Sequence, residues 1–231
     1  MEIAIVDFVA GARAARGVAI VIDVFRAATV QCHAFGRSAS RVIPVADEAE
    51  ARRLKADHPD WLLIGERHAR KLPGFDHGNS PSEIAALDLT GRTVVHTTHA
   101  GTQGLAAAQG ATHVLSAALV NASATVAHVL AIAPSHVSIV RMGLEARERT
   151  VEDDACAELL ASLLRGERYP VEGLRKRLEA APSARKFFDS ACDYAPREDF
   201  ELCCEVDRFD FALQLEGRHS AHPYLASRAP G

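Results

Sequence analysis

The sequence predicts an α/β protein: a mixed, largely parallel sheet or sheets flanked by helices, followed by a helix-rich C-terminal part. Three observations carry that expectation. Short continuous apolar runs such as VAIVID (18–23) and WLLIGE (61–66) recur and end on an acid, as strands buried on both faces do. Between them lie segments of about ten to fifteen residues with helical composition and recognisable caps. No repeat or low-complexity linker breaks the alternation, and 231 residues fit one large α/β domain or two closely packed lobes.

VAIVID leads into RAATVQCHAFG, a helix closed by Gly36. RVIPV (41–45) is a strand, and Asp47 stands near the start of a charged helix reaching about residue 57. WLLIGE feeds the loop GFDHGNSPSE (74–83), in which Pro81 starts a short helix capped by Ser80 or Asn79. RTVVHTT (92–98) is β-like, and AGTQGLAAAQG after it is helical. THVLSAALV (112–120) is a strand running into NASATVAHVLAIA, where Asn121 is a helix cap. HVSIVRMG (136–143) is a further strand. From TVEDDACAELLASLLRG (150–166) the pattern is mostly helical, ending in a strand DFALQL (210–215). The tail RHSAHPYLASRAPG reads as loosely held.

Apolar residues make up 48% of the chain and charged residues 24%, with a net charge of −4 and no basic run. That balance argues against nucleic acid or an anionic membrane as the main partner. The opening MEIAIVDFVAGARAARG lacks the features of a secretion signal, and residues 111–133 carry too many polar interruptions to span a bilayer. The cysteines, Cys32, Cys156, Cys192, Cys203 and Cys204, are scattered without metal-type spacing, so a reducing cytoplasm is expected. An exposed apolar helix face would support a homodimer.

In such sheets ligands bind at the carboxyl ends of the strands. Polar residues collect at those ends: Asp23 and Arg26; Glu66 and Arg67 just before Asp76, Asn79 and Ser80; Thr97, Thr98, Gly101 and Thr102; Asn121; then Arg141 and the acidic cluster Glu152, Asp153, Asp154. One Asp closing a strand is most simply a helix cap or an ion-pair partner. Several carboxylates converging without matching lysines point instead to a bound cation, and oxygen-only ligation suits Mg²⁺. TTHAGT (97–102) places hydroxyls and a glycine before a helix, where backbone N–H groups attract an anion. Arg26, Arg67 and Arg141 are further candidates for holding a small, doubly anionic ligand. Two plainer readings compete: a capped turn for TTHAGT, and helix-dipole stabilisation for the acids of VEDDACA. The histidines show no ligand spacing, and only His77 and His99 lie in candidate site loops.

The stretches VIDVFRAAT, PVADEAEA, LLIGER, GFDHGNSPSE, TTHAGT, LVNASA and VEDDACA occur in an order that resembles the 2-phosphosulfolactate phosphatase family, over roughly residues 18 to 160. The resemblance implies an α/β fold and a Mg²⁺-dependent phosphomonoesterase acting on a small phosphorylated sulfonated acid, in a reaction that serves coenzyme M synthesis. It also implies that Asp23, Arg26, Glu66, Asp76, Asn79, Ser80, Thr98, Gly101, Thr102, Asn121, Glu152 and Asp153 surround one site. Catalysis is then expected of Asp23, Glu66 and Asp76. The metal is expected on Asp76 with Glu152 or Asp153, and Asp23 is either a further ligand or the nucleophile or base. The chain departs from the family pattern TTxNGT at His99-Ala100, losing an amide that would touch substrate.

Two alternatives differ in kind. A cysteine hydrolase of the isochorismatase type needs a lysine and a cysteine near the strand ends, and a non-catalytic sensor of an anionic metabolite needs only the binding groups. A haloacid-dehalogenase type is set aside, because Phe25 stands where its second Asp belongs.

Overall fold

The computed structural model describes residues 1–229, and strands form where the apolar runs lie. In chain order they are β1 (Glu2–Asp7), β2 (Val18–Ile22), β3 (Arg41–Pro44), β4 (Leu62–Arg67), β5 (Arg70–Lys71), β6 (Thr93–Thr97), β7 (His113–Ala117), β8 (His136–Arg141), β9 (Ala212–Glu216) and β10 (Tyr224–Arg228). The helices are α1 (Phe8–Ala14), α2 (Ala27–Gly36), α3 (Glu48–Asp57), α4 (Pro81–Ala85), α5 (Gly101–Ala107), α6 (Ala122–Ile132), α7 (Val151–Leu164), α8 (Leu174–Glu179) and α9 (Arg197–Cys204). Leu119–Asn121 and Pro182–Phe187 form short 3-10 turns.

All these strands join one sheet, in the order β1-β8-β2-β7-β9-β10-β3-β6-β4-β5. The strands β1, β8, β2 and β7 are parallel to one another, and so are β3, β6 and β4. The antiparallel hairpin β9–β10 lies between the two parallel blocks, with β9 against β7 and β10 against β3. Each of those steps is antiparallel, so the two blocks run in opposite senses. The expected mixed, largely parallel sheet with flanking helices is what the chain forms.

The continuous apolar runs have the physical reason anticipated for them. Every residue of β2 is buried, between β8 and β7, because helices cover the sheet and no face of that strand meets water. At Gly104 an added Cβ would overlap Met142 and Val21, so α5 reaches β2 only because that position carries no side chain. A second, smaller apolar cluster, including Ile43, Leu54, Leu63 and Val95, lies where α3 covers β3, β4 and β6. Ser80, followed by Pro81, caps α4 as read, accepting from Glu83 N–H at 3.3 Å, and Asp47, read only as near a helix start, caps α3 by accepting from Glu50 N–H at 2.9 Å.

Three strands were not anticipated, the shortest being the exposed two-residue β5. β1 is half-exposed at the sheet edge and has little apolar periodicity. β10 falls in the tail expected to be loosely held, yet it is a central strand. Only Leu225 is fully buried in YLASR, too short a signal to read as a buried strand. Pro230 and Gly231, also in that tail, lie outside the described residues. Among the described residues no helix is long and apolar enough to cross a membrane.

Candidate active site

The carboxyl ends of β2 and β4, and the loops after β6 and β8, open into one cavity of about 250 Å³. The first turn of α7 also lines it, with Ser183, Lys186 and Tyr194 from the C-terminal part. Strands from both parallel blocks therefore contribute.

Three desolvated acids share this space. Asp23 directly follows β2, is 8% exposed, and accepts from Ala27 N–H at 3.2 Å. Burial pushes its carboxyl up to about 6, the nearby Glu66 charge adds to the rise, and backbone N–H groups of Ala27 and Gly101 oppose it. Asp153 ties two strand ends together, accepting from Val24 N–H at 2.9 Å and from Gly143 N–H at 2.7 Å. Burial, then the charges of Asp23 and Glu152, hold its carboxyl well above the usual range. Glu152 accepts from Ser183 Oγ at 2.6 Å and is also raised, mainly by burial. Asp153 resists ionising beside Asp23 and Glu152, and a proton or a cation would relieve that repulsion.

Two cations complete the wall. The Arg26 guanidinium donates from Nη1 to Asp199 at 2.6 Å and to the Tyr194 carbonyl at 2.9 Å, and from Nη2 to the Ala69 carbonyl at 3.0 Å. Its position is fixed, and its Nε–H needs none of these bonds. Lys186 was not anticipated at all. Burial, then the Arg26 charge, lowers the proton affinity of its ammonium, against the pull of Glu152 and Asp23. The acids thus do have a lysine among them, supplied by a 3-10 turn far along the chain rather than by a strand end.

Of the residues singled out in the sequence, Asp23, Arg26, Glu66, Asn79, His99, Glu152 and Asp153 line the cavity. Glu66 is committed to the loops: its oxygens accept from Ala69 N–H and His99 N–H, both at 2.8 Å. Asn79 Oδ1 bonds His96 Nε2 at 3.0 Å. The remaining residues support the wall rather than form it. Thr98 and Thr102 bond each other across the turn that starts α5, Thr102 N–H donating to Thr98 Oγ1 at 3.2 Å. Thr97 accepts from Arg67 at 3.1 Å, and Ser80 donates to Asp199 at 2.7 Å. Asn121 does not cap α6 through its side chain; its Oδ1 accepts from Ala118 N–H at 3.0 Å and holds the 3-10 turn.

Asp76 is the clearest correction. It does not line the cavity: its carboxylate accepts from Leu63 N–H at 2.8 Å and pairs with Lys55 at 2.9 Å, pinning the loop to β4. His77 turns to Glu83 at 2.6 Å and is likewise outside, and Arg141 pairs with Asp7 and Asp154. Among the described residues no cysteine lines the cavity, and burial raises the Cys156 thiol well above its ordinary range, which disfavours the cysteine-hydrolase alternative.

Gly101 has a contact reason for being glycine. A Cβ there would lie 2.8 Å from Asp23 Oδ2 and 2.9 Å from Ala27 Cβ. Gly101→Ala is expected to destabilise the fold by about 1–3 kcal/mol and to displace Asp23; an unchanged denaturation midpoint and unchanged activity would contradict that contact.

A family model described as 2-phosphosulpholactate phosphatase matches residues 4–218. The chain belongs to the 2-phosphosulfolactate phosphatase family. A relative in Deinococcus radiodurans, a probable 2-phosphosulfolactate phosphatase, is 37% identical over 77% of this chain and 82% of its own. Proteins of the same description in Bacillus subtilis and Thermoplasma volcanium are each 30% identical, over 85% and 86% of this chain and 86% and 90% of theirs. The family match extends into the C-terminal region that contributes Ser183, Lys186 and Tyr194, beyond the stretch from 18 to 160 in which the resemblance was first legible.

Carboxylate oxygens are the donors Mg²⁺ takes, with water and substrate oxygens completing its shell, but both Asp153 oxygens already accept backbone N–H groups. The crowding of Asp153 with Asp23 and Glu152 is the observation that favours such an ion.

Proposed function

We propose that this member of the 2-phosphosulfolactate phosphatase family hydrolyses the phosphomonoester of a small sulfonated or carboxylic 2-hydroxy acid, releasing phosphate. The observation that carries the reading is the meeting, in one small cavity, of three desolvated acids with the fixed guanidinium of Arg26 and the ammonium of Lys186. A phosphate monoester needs its charge matched, its leaving oxygen stabilised and its attacking water oriented.

Asp153 and Glu152 would hold Mg²⁺, with Asp23 beside them. Bound there, the ion would neutralise phosphoryl charge and acidify a water. Arg26 binds a phosphoryl or acid-group oxygen in a fixed orientation, because Asp199 and two carbonyls set its plane. Asp23, with a carboxyl near 6, takes the proton from the attacking water. As the new P–O bond forms and the ester P–O bond breaks, Lys186 donates to the departing alkoxide. Its weakened hold on its proton suits that donation. The departure replaces the amide of the family pattern with the methyl of Ala100, so the acid end of the substrate loses that polar contact in the wall.

The direct test is phosphate release from 2-phosphosulfolactate and phospholactate, with Mg²⁺ and with a chelator. Chelator-sensitive release is expected; no release from either compound would leave the cavity as a binding site only. Lys186→Met is expected to lower kcat/KM about 10^2-fold, more for substrates with poorer leaving groups. An equal loss for good and poor leaving groups would restrict Lys186 to binding.

A further inference from the structure

Beside the acids around Asp153, the cavity wall carries a set of side chains with metal-ligand geometry. We propose that His68, His99 and Glu145 form a separate site for a borderline divalent ion of the zinc class. One ligand atom from each residue lies within 4.8 Å of the others, so a modest closing movement brings all three onto one ion. His68 Nδ1 and Glu145 Oε1 are 2.5 Å apart, and the two imidazole rings stand edge to face with centroids 5.0 Å apart.

The chemistry of the set distinguishes it from the acidic one. Two imidazoles and one carboxylate suit zinc, cobalt or iron, whereas Mg²⁺ prefers oxygen alone. Three protein ligands leave a position open for water or for an oxygen of a bound anion. All three residues line the cavity, so that position would be shared with whatever enters it.

An independent observation points to a missing ligand. His99 Nδ1 is buried and has no hydrogen-bond partner, a state buried ring nitrogens avoid. The backbone around it is anchored, His99 N–H donating to Glu66 Oε1 at 2.8 Å, so the ring is carried on a fixed turn. His68 is 72% exposed and gives an entering ion a route from solvent. Neither His68 nor Glu145 was singled out in the sequence, because they come from separate loops with no ligand spacing between them. His99 was noted only for its loop. It sits in the segment where this chain departs from the family pattern.

The proposal does not depend on the phosphatase reading, and its test uses no activity. Chelator-stripped full-length protein would be titrated with Co²⁺, whose visible d–d bands report low-coordinate nitrogen–oxygen ligation, and Zn²⁺ would then be used to displace it. One equivalent of Co²⁺ with those bands is expected, displaced by Zn²⁺. His68→Ala and His99→Ala are each expected to weaken Zn²⁺ binding at least about 10-fold, while Asp153→Asn leaves the spectrum unchanged. His68 is exposed, so its variant should keep the fold, as circular dichroism would verify. Absence of the bands, bands that survive His68→Ala, bands lost in Asp153→Asn, or thiolate charge-transfer absorption would each overturn the assignment.

Discussion

Replacing Asp23 with Asn is expected to lower kcat roughly 10^3-fold without unfolding the protein. The size follows from losing the proton acceptor in a site where Glu66 already has both oxygens on backbone N–H groups. The pH dependence sharpens the test. Asp23 must be ionised to accept a proton, so the rate should rise as pH passes its carboxyl value, about 6 without a cation and lower with Mg²⁺ bound. That acid limb should vanish in the Asn variant. Stability moves oppositely. A carboxyl raised from 3.8 to about 6 stabilises the fold below pH 3.8, and the contribution is lost as pH rises through about 6. Near pH 7.5 the metal-free Asn variant should therefore be no less stable than the parent by chemical denaturation. A variant keeping a tenth of the parent rate, or an unmoved acid limb, would take the proton-accepting role from Asp23.

Asp199→Ala is expected to produce the largest loss of stability, about 3–5 kcal/mol, because it strands a buried charge. Asp199 is fully buried and accepts from Arg26 Nη1 at 2.6 Å, Ser80 Oγ at 2.7 Å, Ser82 Oγ at 2.6 Å and Ser82 N–H at 3.0 Å. One carboxylate on α9 thus orients the cavity arginine and secures the start of α4. The urea midpoint should fall with the slope preserved, and activity should fall with it as Arg26 loses its orientation. Ser80→Ala, which removes a cap and one of these donors, should cost only about 1–2 kcal/mol. A loss below about 1 kcal/mol for Asp199→Ala would mean that water replaces the carboxylate and that the cluster is not a clamp.

Much of the fold was legible in the sequence because buried strands are written as continuous apolar runs and their ends as sudden polarity. VAIVID announces both β2 and Asp23, and TVEDDACA announces the start of α7 with Glu152 and Asp153. The residues missed are those whose positions depend on long-range packing. Lys186, Ser183 and Asp199 occupy a helical region with no motif, and only the fold brings them to the strand ends. Asp76 shows the converse. It lies in the most distinctive loop of the chain, between Gly74 and Gly78, but composition says nothing of direction, and its carboxylate turns back to Lys55 and Leu63. The loop itself is half site and half scaffold: Asn79 reaches the cavity, and Ser80 serves Asp199.

The hairpin β9–β10 governs how this molecule must assemble. Only the block of β3, β4 and β6 is built from strands close in sequence; β1 and β2 already reach across to β8 and β7, and Val42 in β3 acquires its neighbour, Leu225, only from the far end of the chain. Until that hairpin inserts, β7 and β3 present open strand edges, the surfaces on which chains most readily pair with the wrong partner. Closure of such distant contacts is slow. The vulnerable species is therefore a late intermediate with both blocks formed, and its misassembly should increase with protein concentration during refolding.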